Sequence, residues 1–340
     1  MLFDRASPLA IRHAAIASLA PWLLRFAWQS LPRQAARNAA AIAGLLAGAG
    51  PMWRELAGHI GASALLREKG AIYLYDTDKA AQAGARDMAQ RRDLGVRVEM
   101  ISTAELHRLE PGLCNVNGQA AIFPDAIFMT DPGRMVCALA KAAGVPILSH
   151  RVTRLALCGG AMMLEGAGLS LLARKVVIAA GAHSRALAAQ IGDRIPLDTE
   201  RGYHVEWDME SPRLGRPVCP VSRGFYLCPM EGRLRAAGTV ELGGLTHPPS
   251  KARVELLVAG ARAIFPDLPA PDRDWMGFRP SMPDSLPVIG QSPNCAGVIH
   301  AFGHGHIGMT LAPVTARMVC DIVGGRSLAG ACAPTRPGRF

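Results

Sequence analysis

The densest chemistry in the chain lies in Gly303-His304-Gly305-His306-Ile307-Gly308. This run matches G-x-G-x-x-G and falls between the strand-like Val298–Phe302 and the helical pattern of Thr310–Val323. Glycines there let a backbone approach a ligand closely, and the helix N-terminus adds free N–H groups and positive potential. A dinucleotide fingerprint is the first chemistry such a loop suggests. In its usual form that fingerprint opens a βαβ unit, with a second strand and an acidic residue about 20 positions on. Asp321 stands near that distance but inside the helical pattern, and no second strand is visible after it. What remains is a glycine loop aiming a helix N-terminus at an electron-rich group, or a plain strand-to-helix turn.

His304 and His306, with His300 as a third ligand, also raise a metal site. No acidic or cysteine partner stands close by, and glycines make a floppy ligand shell, so no metal is expected and a neutral pocket histidine is preferred. A second segment, Gly277-Phe278-Arg279-Pro280 with Asp284–Gly290 after it, holds an arginine between rigid neighbours. Arginine suits bidentate carboxylate binding, although a surface arginine in a proline-rich loop looks the same in sequence. Tyr203, His204 and Tyr226 can present a hydroxyl or imidazole to a small ligand, or sit half-buried in a sheet. No G-x-S-x-G, H-E-x-x-H or P-loop pattern occurs, which removes those hydrolase and NTPase mechanisms. The 8 cysteines have no C-x-x-C spacing. Buried free thiols are expected of them, and no zinc site.

The elements that must position these residues follow from periodicity and punctuation. Residues 1–66 read as helix, with Ile42, Leu45, Leu46, Ala49, Trp53, Leu56 and Ile60 on one apolar face. Ala71–Tyr75 and Val96–Ile101 read as strands. Ser102-x-x-Glu105 is a capping box for a short helix stopped by Pro111. Asp131-Pro132 opens another helix, closed by Gly144. Val145–Val152 reads as a strand, and a hairpin region runs on to Leu172. Lys175–Ala180 reads as a strand buried on both faces, ending at Gly181, with Ser184 capping the next helix. From Ile195 to about Gly244 the pattern turns antiparallel, with Phe225–Pro229, a turn at Glu231-Gly232 and Arg233–Val240. Ser250 caps a helix carrying the stripe Val254, Leu257, Val258, Ala261 and Ile264. Residues 333–340 read as a loose tail.

With 340 residues, half of them hydrophobic, the chain has room for two domains and is not disordered. Its +10 charge is arginine-rich, but the arginines are scattered and aromatics are only 5%. That argues against a nucleic-acid groove. The most apolar stretch, Ala39–Trp53, is uncharged but shorter than the roughly 18 residues a spanning helix needs, and Pro51 interrupts it. No signal peptide is convincing, because Asp4, Arg12 and His13 break the pattern. The first 60 residues hold six arginines against only Asp4 and Glu55. A membrane-surface contact can live there.

Taken together, several segments resemble one family, the FAD-dependent amine oxidoreductases of the D-amino-acid oxidase type, with bacterial D-amino-acid dehydrogenases nearest. They run in family order: Ser7-Pro8-Leu9 with Pro21–Phe26, Val176–Ser184, Arg201-Gly202-Tyr203-His204, Gly224-Phe225-Tyr226 with Pro229, Gly238–Glu241, Phe278-Arg279-Pro280 with Asp284–Gly290, and Gly303–Pro313. The resemblance implies an α/β fold: an FAD-binding, Rossmann-like parallel-sheet domain plus a mixed, mainly antiparallel α+β substrate domain. It implies FAD contacts from Val152, Ala180, Gly181 and Gly303, His304, Gly305, His306, Ile307 and Gly308. Arg279 matches the position that grips a substrate carboxylate, with Tyr203, His204 and Tyr226 as pocket residues. The family pattern opens with a strand, G-x-G-x-x-G and a helix; the segments found here lie downstream of it, so the FAD-binding domain is expected to be incomplete. The expected division is 1–66 helical, 67–148 substrate domain, 149–196 FAD-binding, 197–275 substrate domain, 276–330 FAD-binding and 331–340 tail. The expected activity is dehydrogenation of a D-amino acid or small amine by hydride transfer to FAD. The alternative is a truncated, non-catalytic flavoprotein fragment whose FAD binding is lost or depends on a partner. A cytoplasmic location, with a peripheral contact to the inner membrane, completes the expectation.

Overall fold

A computed structural model describes residues 7–114, 116–326 and 330–340. The chain forms two units. The first takes in the chain up to Arg12 with Arg54–Gly144 and Arg201–Gly277; the second takes in His13–Trp53, Val145–Glu200 and Phe278–Phe340. No helix of the described residues is long and apolar enough to cross a membrane.

The first unit is built on a mixed sheet. Its strands are β1 (Leu9–Ile11), β3 (Ala71–Tyr75), β4 (Glu99–Ile101), β5 (Gln119–Phe123), β11 (Asp198–Asp208), β12 (Val218–Pro220), β13 (Phe225–Met230), β14 (Arg233–Leu242) and β15 (Arg273–Ser281). The order is β15-β11-β14-β13-β12-β3-β5-β4, and β1 runs parallel to the end of β14, with Leu9 opposite Val240. A small pair, β2 (Leu66–Arg67) with β6 (Phe128–Met129), lies apart from it. The Glu231-Gly232 turn closes the β13–β14 hairpin, with Met230 opposite Arg233. Side chains alternate between faces along each strand. One face of the sheet therefore sends Ile72, Tyr203, Val205, Trp207, Phe225, Leu227 and Leu234 against Leu257 and Ala261 of α8 (Lys251–Arg262). Helices α4 (Asp78–Asp93), α5 (Thr103–Leu109) and α6 (Pro132–Ala143) complete the unit. Local chemistry sets their ends. Ser102 and Glu105 form the reciprocal capping box of α5; Asp131 caps α6, and Gly144 ends α6 in the left-handed conformation.

The second unit holds α1 (Ile16–Gln29), α2 (Pro32–Leu46) and the start of α3 (Ala49–His59). It continues through an antiparallel meander of β7 (Arg154–Cys158), β8 (Ala161–Gly166) and β9 (Leu169–Ala173). A three-stranded sheet, ordered β10 (Val176–Ile178), β17 (Val298–Phe302), β16 (Val288–Gln291), pairs β10 parallel to β17. Helices α7 (Ser184–Gln190) and α9 (Gly308–Val323) flank it. Ile178, Ala188, Val288, Val298 and Phe302 share one core, and Leu45 of α2 packs with Leu311 and Met318 of α9 in another.

Several expectations change. The first 66 residues are not wholly helical: Leu9–Ile11 is a strand, and the uncharged run breaks between α2 and α3 at Ala47-Gly48. Val145–Val152 forms no strand: Val145–Arg151 is exposed and joins no ladder, and only its end meets the β8–β9 turn, where the His150 Nδ1 lies 3.3 Å from the Ala167 carbonyl. Lys175–Ala180 is not buried on both faces, because Val177 is 40% exposed where β10 lies at the sheet edge. Ser184 is the first residue of α7, not its cap, and its buried hydroxyl lacks a hydrogen-bond partner. Ser250 occupies the N-cap position of α8 without a side-chain hydrogen bond. The C-terminal residues are docked, not loose: Arg339 pairs with Asp284 at 2.7 Å, and the Thr335 hydroxyl donates to the Ile289 carbonyl at 3.3 Å. Among the described residues buried thiols are the minority. Cys114, Cys137, Cys158 and Cys320 are exposed, while burial pushes the Cys219 thiol up to about 12.

Candidate functional site

The parallel pair β10–β17 organises the site. Ile178 stands opposite His300, so Ala180 reaches the level of Phe302, and the glycine loop begins one residue beyond. In open parallel sheets, ligands bind outside the carboxyl ends of the strands, and both ends lie together here. Gly303 sits at φ +83°, and a Cβ there would come within 2.8 Å of the Met282 side chain. The glycine at that position is therefore required both for the turn and for the close approach. The loop is tied down by its neighbours. Ser281 and His304 form an antiparallel bridge, and the Gly305 N–H donates to the Pro280 carbonyl at 2.7 Å. The His304 Nε2 lies 2.9 Å from the Thr315 hydroxyl. Burial lowers the His304 imidazole to about 4, so it is neutral at ordinary pH. Helix α9 starts at Gly308 with no side-chain cap. Its first-turn N–H groups and its dipole therefore give the loop a positive potential.

The same contacts bring Arg279 to this loop, since Pro280 and Ser281 are the residues that hold it. Trp22 of α1 supports the arrangement by donating its indole N–H to the Ser281 carbonyl at 3.3 Å. The Arg279 charge acts on two neighbours. Glu200, at the start of β11, has its carboxyl raised by burial, opposed by Arg279 and by a hydrogen bond from Ser281. His306 is lowered by partial desolvation and then by Arg279. Glu200 was missed in sequence. The one available signal was an acidic side chain amid the buried run from Ile195 to Tyr203.

Val152, Ala180 and His183 line a cavity of about 750 Å³ beside β10, with Leu155, Val177 and Gln190. Gly181, just beyond, takes φ +55° to turn the chain into α7.

The antiparallel-sheet residues divide by face. Tyr203 points into the core; its hydroxyl donates to the Glu241 carboxylate and accepts the Ser250 N–H at 3.0 Å. Glu241 also pairs with Arg12 at 2.7 Å and with the fully buried Arg201 at 3.2 Å. Tyr203 thus has its polar group spent on this cluster. His204, the next residue, faces the other way, stacks on Trp275 at 5.2 Å and is lowered by burial to about 4. Tyr226 lies on the side of β13 away from the core, its hydroxyl 2.7 Å from that of Tyr73. One strand cannot offer both Tyr203 and His204 to one ligand, because consecutive residues point to opposite faces.

His300 does not join His304 and His306. It is buried, with Nε2 2.5 Å from Asp193. Among the described residues no group of three His, Cys, Asp or Glu side chains is placed to hold a metal.

A parallel-strand crevice with a glycine loop and an uncapped helix, in a chain that also carries a large mixed sheet, is the build of a nucleotide-cofactor oxidoreductase. The comparisons with known proteins narrow this. The FAD dependent oxidoreductase family matches residues 5–322. A D-amino-acid oxidase of Bradyrhizobium diazoefficiens is 33% identical over 100% of this chain and 83% of its own length. A D-amino acid dehydrogenase of Cereibacter sphaeroides is 28% identical over 96% of this chain and 77% of its own. The crystal structure of glycine oxidase from Geobacillus kaustophilus superposes with a TM-score of 0.79 at 27% identity, covering 87% of this chain and 82% of that one. This chain belongs to the FAD dependent oxidoreductase family. It is an FAD-dependent enzyme of the amino-acid oxidase and dehydrogenase type.

The residues present fit FAD at two places. The uncapped start of α9, behind Gly303 and Gly305, suits the electron-rich edge of the flavin ring. The cavity beside β10, with Val152 and Ala180 at its wall, has room for an adenosine.

Proposed function

We propose that this enzyme dehydrogenates a D-amino acid or a related small amine to the imino acid, with Arg279 as the carboxylate anchor. The observation that carries the reading is the tie between the Arg279 segment and the glycine loop, through the Ser281–His304 bridge and the Gly305–Pro280 hydrogen bond. Arg279 holds the substrate carboxylate, and the Glu200 carboxylate faces the ammonium and takes a proton from it. With its pKa raised by burial, Glu200 is a better proton acceptor than an exposed carboxylate. The loop amides and the α9 N-terminus hold positive potential where negative charge develops. FAD, when bound, supplies the hydride acceptor. Water then hydrolyses the imino acid. Tyr226 and His204, on the open face of the sheet, are the side chains there able to meet a small ligand, and Tyr203 braces that sheet from its core.

The test is to titrate the purified chain with FAD, follow the flavin absorbance, and add D- and L-amino acids without oxygen. Bleaching by D-amino acids or small amines, with ammonia and a keto acid released, supports the proposal. A flavin-loaded chain that no amine bleaches overturns it. A second reading, in which FAD is retained only when a further strand joins the sheet, is favoured by one feature. The outer edge of β10 carries no strand among the described residues, beside the apolar cavity. Failure of the isolated chain to hold FAD would favour that reading.

A further inference from the structure

Helix α1 carries a surface that the site does not use. Leu24 is 73% and Trp28 60% exposed, and Ile16 on the same helix and Leu31 just after it are exposed too. Leu24 and Trp28 stand at i and i+4 on α1, so they share one face, with Ile16 and Pro21 towards the same side; Leu31 follows α1 as the extended residue that opens α2. The other side of α1 is already committed to the core through Leu19 and Trp22. The helix is therefore apolar on both sides while one side meets water. Contiguous exposed apolar surface of this kind marks an interaction site.

Charge identifies the occupant. Arg25 on α1 and Arg33 and Arg37 on α2, the helix that follows it, are exposed. The sequence has no Asp or Glu between Arg12 and Glu55. An exposed tryptophan and leucines in a stretch that carries arginines and no Asp or Glu complement an anionic bilayer surface. The indole suits the headgroup level, the leucines the acyl boundary and the guanidinium groups the phosphates. A second copy of the chain fits less well, because a two-fold contact would bring the same arginines face to face. With 14 residues, α1 is too short to span a bilayer and would lie in its plane.

We infer that α1 is an interfacial docking helix that seats this protein on an anionic lipid surface, through Leu24, Trp28 and Leu31 with Arg25, Arg33 and Arg37. The docking needs neither FAD nor turnover, so it stands independently of the proposed reaction.

The full chain is sedimented with phosphatidylcholine vesicles, with and without phosphatidylglycerol, at low and high salt. The wild type is expected to pellet with the anionic vesicles and to be released by salt. Leu24→Ser, Trp28→Ser and Leu31→Ser combined should lower vesicle affinity about a hundredfold or more. Arg25→Gln, Arg33→Gln and Arg37→Gln combined should remove the preference for phosphatidylglycerol. The serine variant should melt like the wild type, because the side chains replaced are exposed. Two outcomes overturn the inference: a wild type that stays in the supernatant, or a serine variant that melts normally yet still pellets. A wild-type dimer without vesicle affinity, which the serine variant makes monomeric, also overturns it and assigns the patch to self-association.

Discussion

Replacing Glu241 by Gln tests whether the Arg201–Tyr203–Glu241 cluster is structural. Glu241 is almost fully buried and receives Arg12 at 2.7 Å, Arg201 at 3.2 Å and the Tyr203 hydroxyl. Arg201 is fully buried; its other N–H groups go to the carbonyls of Gly244 and Pro248, both at 3.1 Å, and of His247. Glutamine keeps the shape and removes the charge. Arg12, on the partly exposed side, can rehydrate, but Arg201 cannot. Breaking a buried pair in this way costs about 3–5 kcal/mol. For a domain of this size that lowers Tm by roughly 6–20 °C. The assay is thermal unfolding of the purified chain at several pH values. Burial alone would raise the Glu241 carboxyl, but its hydrogen bonds to Tyr203 and Arg12 and the adjoining guanidinium charges outweigh it and hold the net value below the ordinary one. A depressed carboxylate stabilises above its unfolded value of about 4.3, and loses that contribution as pH falls through the folded value. The gap between wild type and variant should therefore be full at neutral pH and close in acid. A variant that melts within about 2 °C of the wild type at pH 7 would refute the reasoning.

Three further outcomes are expected. Arg279→Met should weaken binding of carboxylate ligands, read as perturbation of the flavin spectrum, by about 10–100-fold, the worth of a charge-assisted hydrogen bond. Arg279→Lys should recover little of it, because the bidentate fork is lost; unchanged affinity in both would remove Arg279 from the site. Gly303→Ala must adopt positive φ and displace Met282, so it should lower FAD affinity and cost about 1–3 kcal/mol of stability; normal FAD titration would count against the loop's role. His204 and His304, both lowered by burial to about 4, are neutral in the folded chain. Their contribution is complete above the unfolded value of about 6.5 and is lost as pH falls toward 4. Melts from pH 7 to 4 should show that loss, and His304→Gln should reduce it.

Much of the scaffold was legible because its signals are local. The capping box at Ser102, the Asp131 cap, the Glu231-Gly232 hairpin and the strand–loop–helix around Gly303–Gly308 each depend on residues within a few positions of one another. Signals that depend on distant partners were not legible. Val145–Val152 has the composition of a strand, but among the described residues it joins no ladder. Ser184 and Ser250 are good capping residues whose hydroxyls cap nothing. Residues 333–340 look unstructured in isolation, yet Arg339 finds Asp284 at 2.7 Å, 55 positions earlier.

The candidate site divides the same way. By itself the sequence determined that a glycine loop precedes a helix, that an arginine stands between Phe278 and Pro280, and that a tyrosine and a histidine stand side by side at Tyr203 and His204. Only the tertiary structure decided that Pro280 and Ser281 grip the loop, that Glu200 feels the Arg279 charge, and that Tyr203 is spent inside while His204 is not. Loop and helix form from the preferences of adjacent residues. Which side chains meet, and which face is covered, depends on strands and helices that come together only when the chain closes on itself.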